Sequence, residues 1–318
     1  TVHPLHFAMP SRHHRLVSLL LLTACGERSA APSAAPIITR VADTTFVTTA
    51  EPGLDGAVAL TERWLLTPDT ARIGTIGAAA LGADGAVWYA TSGGTDHAVL
   101  YRDHKNGEHR AIALQGAAAN EFTGPLLLAA LADGGLVAIE QTTGRGMRYD
   151  SLGAVVDTLM MPWLAGTTTV TADRSGGWFA QGAGTAAWLH HARDGSVTDT
   201  VRAAAGWDGA IAIGRDGSLL RAPAGGRQLE RRAGSGPVLT ARWEGAVLVA
   251  PIAAAHDARG FSWVGDATTW RAFDRDGQLR FTIALPEAEV LLDRDGEYLL
   301  LRGQHGGLRV VEARSPEP

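Results

Sequence analysis

IGAAALGADGAVWYATSGGTDHAVLYRDHKNGEHRAIAL, residues 76–114, is the stretch whose reading decides the fold. Four short apolar runs lie in it, Ala78–Leu81, Ala86–Ala90, Ala98–Tyr101 and Arg110–Leu114. Asp84-Gly85 joins the first two and Asn106-Gly107 the last two, which predicts two-residue hairpin turns built on positive φ. The middle connection, Ser92–Asp96, is longer and polar. The stretch therefore reads as a four-stranded antiparallel meander. One such meander cannot bury both of its faces alone, so further copies are expected.

The copies follow. A glycine turn between first and second strands recurs at Gly85, Gly134, Gly176, Gly217, Gly260 and Gly296. A second series, between third and fourth strands, runs through Gly107, Gly153, Gly195, Gly234–Gly236 and Gly277. The spacing centres near the length of a four-stranded propeller blade, about 40–45 residues. The strand after each inner turn is apolar without alternation, as in Val87-Trp88-Tyr89, Leu136–Ile139 and Trp178-Phe179-Ala180. Burial on both faces explains that pattern. No sustained helical period with caps follows the N-terminal segment, so few helices are expected.

The reading is all-β: a six-bladed β-propeller of four-stranded antiparallel blades over 38–318. The last unit shows only three strands before the chain ends in Ala313–Pro318. An N-terminal strand is expected to pair with this last blade and close the ring, and Thr44–Thr49 (TTFVTT) is the candidate. Strand boundaries over 228–255 are open in the sequence.

Ahead of the propeller, Met9 is followed by Arg12 and Arg15, the apolar run Leu16–Leu22 and then Leu22-Thr23-Ala24-Cys25. The apolar run is too short to span a bilayer. The segment 1–25 is similar to a bacterial lipoprotein signal peptide ending in a lipobox. That resemblance implies lipidation of Cys25, the chain's single cysteine, and Gly26 after it points to the outer membrane. Residues 26–37, rich in Ala, Ser and Pro, read as a flexible tether. The expected address is the bacterial cell envelope, with the membrane as partner through the anchor.

The body also resembles the six-bladed propellers related to NHL-repeat proteins. The repeated Asp-Gly turns carry the likeness, together with Asn120-Glu121-Phe122-Thr123-Gly124-Pro125, similar to a G-x-G-E-F-x-x-P connector with Ala118 and Asn120 in place of its glycines. The fold that this implies is nearly silent about function.

Chemistry is sparse. A net charge of −5, with Lys105 as the one lysine, gives nucleic-acid binding little support. Asp274-Arg275-Asp276-Gly277 and Asp293–Glu297 lack the continuation of a calcium loop and read as turns. Gly182–Ala187 fits a G-x-G-x-x-A fingerprint, but the strand-like Trp188–Arg193 leaves no helix to hold a pyrophosphate. His190 and His191 are adjacent and face opposite sides of a strand, and the other histidines show no ligand spacing. No cofactor or metal is expected, and no catalytic motif is present. Trp88, Trp178, Trp188, Trp263 and Trp270 fall within predicted strands as packing residues, while Trp64, Trp163, Trp207 and Trp243 lie near connections.

By position, the rim formed by loops between second and third strands and by connectors between blades is where a ligand would bind. It offers Asp96, His97, Asn120, Glu121, Thr143, Arg145, Trp207, Asp208, Asp266 and His305. A binding or interaction module for a protein, glycan or small ligand is the reading the residues favour. The alternatives are a propeller enzyme, a metal-dependent lyase or lactonase-like hydrolase with its site on the axis, and a structural subunit of an envelope complex.

Overall fold

The computed structural model describes residues 35–50, 59–66, 70–173, 175–182, 187–202, 209–233, 236–249, 251, 253–256, 261–266, 269–285, 290–295, 298–303 and 307–314. The chain divides into two compact units, Thr1–Ser33 and Ala34–Pro318. The signal segment 1–25, with Cys25, and most of the tether 26–37 lie outside the described residues.

Six sheets make up the second unit. Blade 1, from inner to outer strand, is Gly74–Leu81, Val87–Gly93, Ala98–Asp103 and His109–Gln115. Blade 2 is Leu126–Ala130, Leu136–Glu140, Arg145–Tyr149 and Val155–Met160. Blade 3 is Thr169–Ala172, Trp178–Gln181, Ala187–His191 and Val197–Arg202. Blade 4 is Gly209–Ile213, Leu219–Pro223, Gln228–Arg232 and Val238–Glu244. Blade 5 is Ala253–His256, Ser262–Gly265, Thr269–Phe273 and Leu279–Ala284. Blade 6 has Val290–Asp295, Tyr298–Arg302 and Leu308–Arg314 as its own three strands. This is the six-bladed β-propeller that the turn series predicts. Among the described residues, helix is confined to Thr70–Ile73 and a 3-10 turn at Pro162–Leu164.

The apolar core is six seams, one between each pair of neighbouring blades. Trp88 packs with Leu136, Ala138 and Tyr149 between blades 1 and 2. Trp178 packs with Val137, Ile139 and Leu164 between blades 2 and 3. Phe179 and Trp188 meet Ile213 and Leu219 at the next seam. Trp243 meets Val264 and Phe273 between blades 4 and 5, and Trp263 meets Leu299 and Leu301 between 5 and 6. Tyr89 and Tyr101 meet Leu300 and Val310 where blade 6 adjoins blade 1. Second strands therefore face a seam on each side, which is why they read as unbroken apolar runs. Truncating one of these buried tryptophans to alanine costs about 3–5 kcal/mol.

Ring closure uses a different strand from the one expected. Ala59–Leu66, not Thr44–Thr49, is the fourth strand of blade 6 and pairs antiparallel with Leu308–Arg314. Its side chains suit that place. Leu60 packs at the blade 5–6 seam and Trp64 at the blade 6–1 seam, so both faces find apolar neighbours. Arg63 is paired with Glu312 across the same ladder. Thr44–Ala50 instead runs parallel to Val238–Glu244 and extends blade 4, with Ile37–Val41 hairpinned outside it. Only Val47 and Thr49 of that strand are described as buried, and Phe46 lies under the Arg242 guanidinium, 4.3 Å from its ring centroid. A strand with one apolar side fits an extension on the outside of a blade, not a closing position between two seams.

The turns also differ from the two-residue form. Gly85 N donates to Gly82 O at 2.9 Å and Gly82 N to Ala86 O at 2.8 Å, with Gly85 at φ +79°. Gly134, Gly153, Gly195, Gly217 and Gly277 repeat the pattern of a positive-φ glycine whose N–H reaches back three residues. These are three-residue turns ending in a left-handed glycine. An aspartate of the turn contributes its side chain, as Asp84 Oδ1 accepts from Ala86 N at 3.0 Å, Asp133 Oδ1 from Gly135 N at 3.0 Å and Asp150 Oδ1 from Ala154 N at 2.8 Å.

Candidate functional site: the loop and connector face

The alternation of strand direction sends second-to-third-strand loops and inter-blade connectors to one face and the Asp-Gly turns to the other. On the loop face the best-defined cluster surrounds the connector from blade 1 to blade 2. Glu121 and Phe122 pair in parallel with Leu114 and Gln115, and Phe122 is fully buried in the first seam. Glu121 Oε2 accepts from Ala118 N at 3.0 Å and closes the loop on itself.

The hub of this cluster is Glu140, the last residue of blade 2's second strand and 1% exposed. Its Oε1 accepts from Thr123 N at 2.5 Å, Thr123 Oγ1 at 2.6 Å and Gly124 N at 2.7 Å. Its Oε2 accepts from the Thr143 hydroxyl. Burial pushes this carboxyl upward, but the bonds from Thr123, Thr143 and Gly124 together outweigh it and hold the pKa below the usual glutamate value. The Arg145 Nε lies 3.9 Å from Glu140 Oε2, its Nη1 donates to Ala118 O at 3.0 Å, and its guanidinium sits 5.6 Å from the Phe122 centroid.

Glu121, Thr143 and Arg145 are thus brought together, with Asn120 exposed on the same connector. Their polar groups serve the loop itself. Sequence reasoning missed Glu140, although a signal was present. LVAIE, 136–140, is an apolar run closed by one carboxylate. A charge at the end of a strand buried on both faces must be met by donors from the adjoining loop.

Asp96 and His97 occupy blade 1's own loop. Asp96 Oδ1 accepts from Tyr101 Oη at 2.6 Å and from Ala98 N at 3.2 Å. Burial and the Asp96 carboxylate raise the Tyr101 phenol well above its ordinary pKa, so it remains a donor. His97 is exposed with φ +59°, and its carbonyl accepts from Gln115 N at 2.7 Å. Asp266 accepts from Thr269 N at 3.1 Å in a separate loop on blade 5. Trp207, Asp208 and His305 lie outside the described residues. Among the described residues no three His, Cys, Asp or Glu side chains gather as a metal site would. Of the tryptophans placed near connections, Trp243 is 2% exposed within an outer strand, whereas Trp163 is 57% exposed.

No known family and no curated sequence matches the chain. Solved structures do. Virginiamycin B lyase from Staphylococcus aureus superposes with a TM-score of 0.51 at 12% identity, covering 80% of this chain and 99% of that one. A streptogramin B lyase gives 0.50 at 14% identity, covering 90% and 95%. A Bacteroides fragilis protein whose name calls it exported gives 0.54 at 10% identity, covering 86% and 100%. At these identities the likeness is one of fold, and the class of protein it defines is the six-bladed β-propeller.

Proposed function

We propose that this chain is a lipid-anchored propeller of the bacterial cell envelope that binds a protein, glycan or small ligand through its loop and connector face. The observation that carries the reading is the Glu140 brace. A buried carboxylate spends four hydrogen bonds ordering Thr123–Gly124 and Thr143, which fixes the rim on which Asn120 and Thr142 are exposed. A rim ordered before its partner arrives loses less entropy on binding. The Cys25 lipobox pattern supports the address, and the B. fragilis neighbour's name agrees with export.

Two experiments test it. For the anchor, Cys25→Ser should move the chain from the membrane to the soluble envelope fraction, and unchanged processing and fractionation would overturn it. For the site, a ligand screen read by thermal shift should return binders that Asn120→Arg abolishes while the unliganded melting temperature is kept. A propeller enzyme is the competing reading. Turnover of a streptogramin B by the purified chain, followed by liquid chromatography, would favour that reading over a binding module.

A further inference from the structure

A cleft of about 530 Å³ opens on the opposite, turn-bearing face, between blade 6 and blade 1. This is the seam at which the ring is closed. Its volume falls in the range of small-molecule sites, about 300–1,000 Å³. Leu81 and Val310, both buried, form its apolar floor. Trp64 from the closing strand and Tyr298 from blade 6, 39% exposed, supply aromatic surface.

The charges around it are unequal in their freedom. Arg63 is paired with Glu312, and Asp84 accepts from Arg102 Nη2 at 2.6 Å. His104 Nε2 lies 3.3 Å from Asp84 O and ties blade 1's outer turn to its inner turn. That contact brings Lys105, exposed and the chain's one lysine, to the rim. Among the described residues no carboxylate is paired with Lys105. The cleft therefore presents one uncompensated cation, aromatic surface, and one acid and a second base already held in place.

We infer that this cleft binds a small sugar acid, with its carboxylate on Lys105 and its ring against Trp64 and Tyr298. Sugar rings carry C–H faces that pack on aromatic surface, and their hydroxyls can share Asp84, the Tyr298 phenol and Arg63. The inference goes beyond the binding-module reading: it adds a second site, with its own ligand class, on the opposite face. Because Trp64 belongs to the strand that closes the ring, a ligand spanning it and blade 1 also stabilises closure, and the melting temperature rises with ligand concentration.

The test uses the full chain in detergent with D-glucuronate as probe, and D-glucose and benzoate as comparators. Calorimetric titration should give glucuronate about tenfold tighter binding than glucose, the effect of one charge-assisted hydrogen bond. Lys105→Gln should remove that advantage and leave glucose binding unchanged. Tyr298→Ala should weaken both sugars. Unliganded melting temperatures of the variants establish that they are folded. Glucuronate binding no tighter than glucose, or unaffected by Lys105→Gln, would overturn the inference. Benzoate binding as tightly as glucuronate would overturn the sugar assignment. In each of these outcomes, Asn120-dependent binders from the loop-face screen would leave the wider reading standing.

Discussion

Blades 1 and 3 each bury an aspartate against a histidine, and the two pairs behave in opposite ways. In blade 1, Asp103 accepts from His109 Nδ1 at 2.7 Å, with the Tyr89 phenol at 3.4 Å. In blade 3, Asp173 pairs with His190 Nε2 and also accepts from Ser175 N at 2.7 Å, Ser175 Oγ at 2.8 Å and Gly177 N at 2.8 Å. Both carboxylates are nearly inaccessible, at 3% and 5% exposure. Burial raises Asp103, and His109 does not bring it back. Burial raises Asp173 too, but the bonds from His190, Ser175 and Gly177 carry it below its ordinary value. The difference is the number of N–H and O–H donors. Asp173 sits at the start of an inner turn, where the backbone has amides to offer. Asp103 ends a third strand, where the neighbouring strand offers it one amide, that of Arg110. The His109 ring, the Tyr89 phenol at 3.4 Å and one amide do not compensate the burial of Asp103, whereas the His190 ring and the close donors of the turn do so for Asp173.

The largest expected effect that would break this comparison comes from Asp173→Ala. It leaves Gly177 N and Ser175 N without their acceptor and should lower stability by about 3 kcal/mol, measured by denaturant unfolding. A loss no greater than that of Asp103→Ala would sink the distinction.

Next comes pH. His191 stacks on Trp178 with centroids 3.9 Å apart, and its Nδ1 lies 3.0 Å from Gly195 O. Burial lowers its pKa in the folded chain. The unfolded chain then binds the proton more readily, so stability is full above the unfolded value of about 6.5 and falls as pH drops toward the folded one. Thermal melts from pH 7.5 to 5 should show this decline, and His191→Phe, which keeps the stack, should flatten it. A slope unchanged in His191→Phe would remove His191 as its source.

Smaller still is Asp103→Asn. Because the folded pKa of Asp103 is raised, its contribution favours the fold at acid pH and is lost as pH rises through that value. The amide should be within about 1 kcal/mol of wild type at pH 7, since it removes a buried charge while retaining a hydrogen-bond acceptor. The smallest change is expected for His109→Gln, whose side chain is 40% exposed. The glutamine amide can still donate to the buried Asp103, so the loss should stay under about 1 kcal/mol and the unfolding midpoint should hardly move.

The repeat was legible because it is local chemistry. A glycine at an expected turn every 36–49 residues and an apolar strand beside it both show in one pass along the chain. Glu140 was legible in part, as a lone charge closing an apolar run, but its donors come from a connector some seventeen residues earlier. The Lys105 cleft was not legible. Trp64, Asp84, Lys105 and Tyr298 share no spacing, and only the meeting of the first blade with the last gives them a common wall.

By itself, then, the sequence determined six four-stranded blades, turn positions and buried second strands, because strand period and glycine φ are properties of neighbouring residues. Tertiary structure alone decided which N-terminal strand closes the ring. Ala59–Leu66 and Thr44–Ala50 are both strands, and of the two only Thr44–Thr49 is read as one from the sequence. The choice depends on whether two faces or one can be buried, and the neighbours that bury them are about 250 residues away along the chain for the closing strand and about 190 for the strand that extends blade 4.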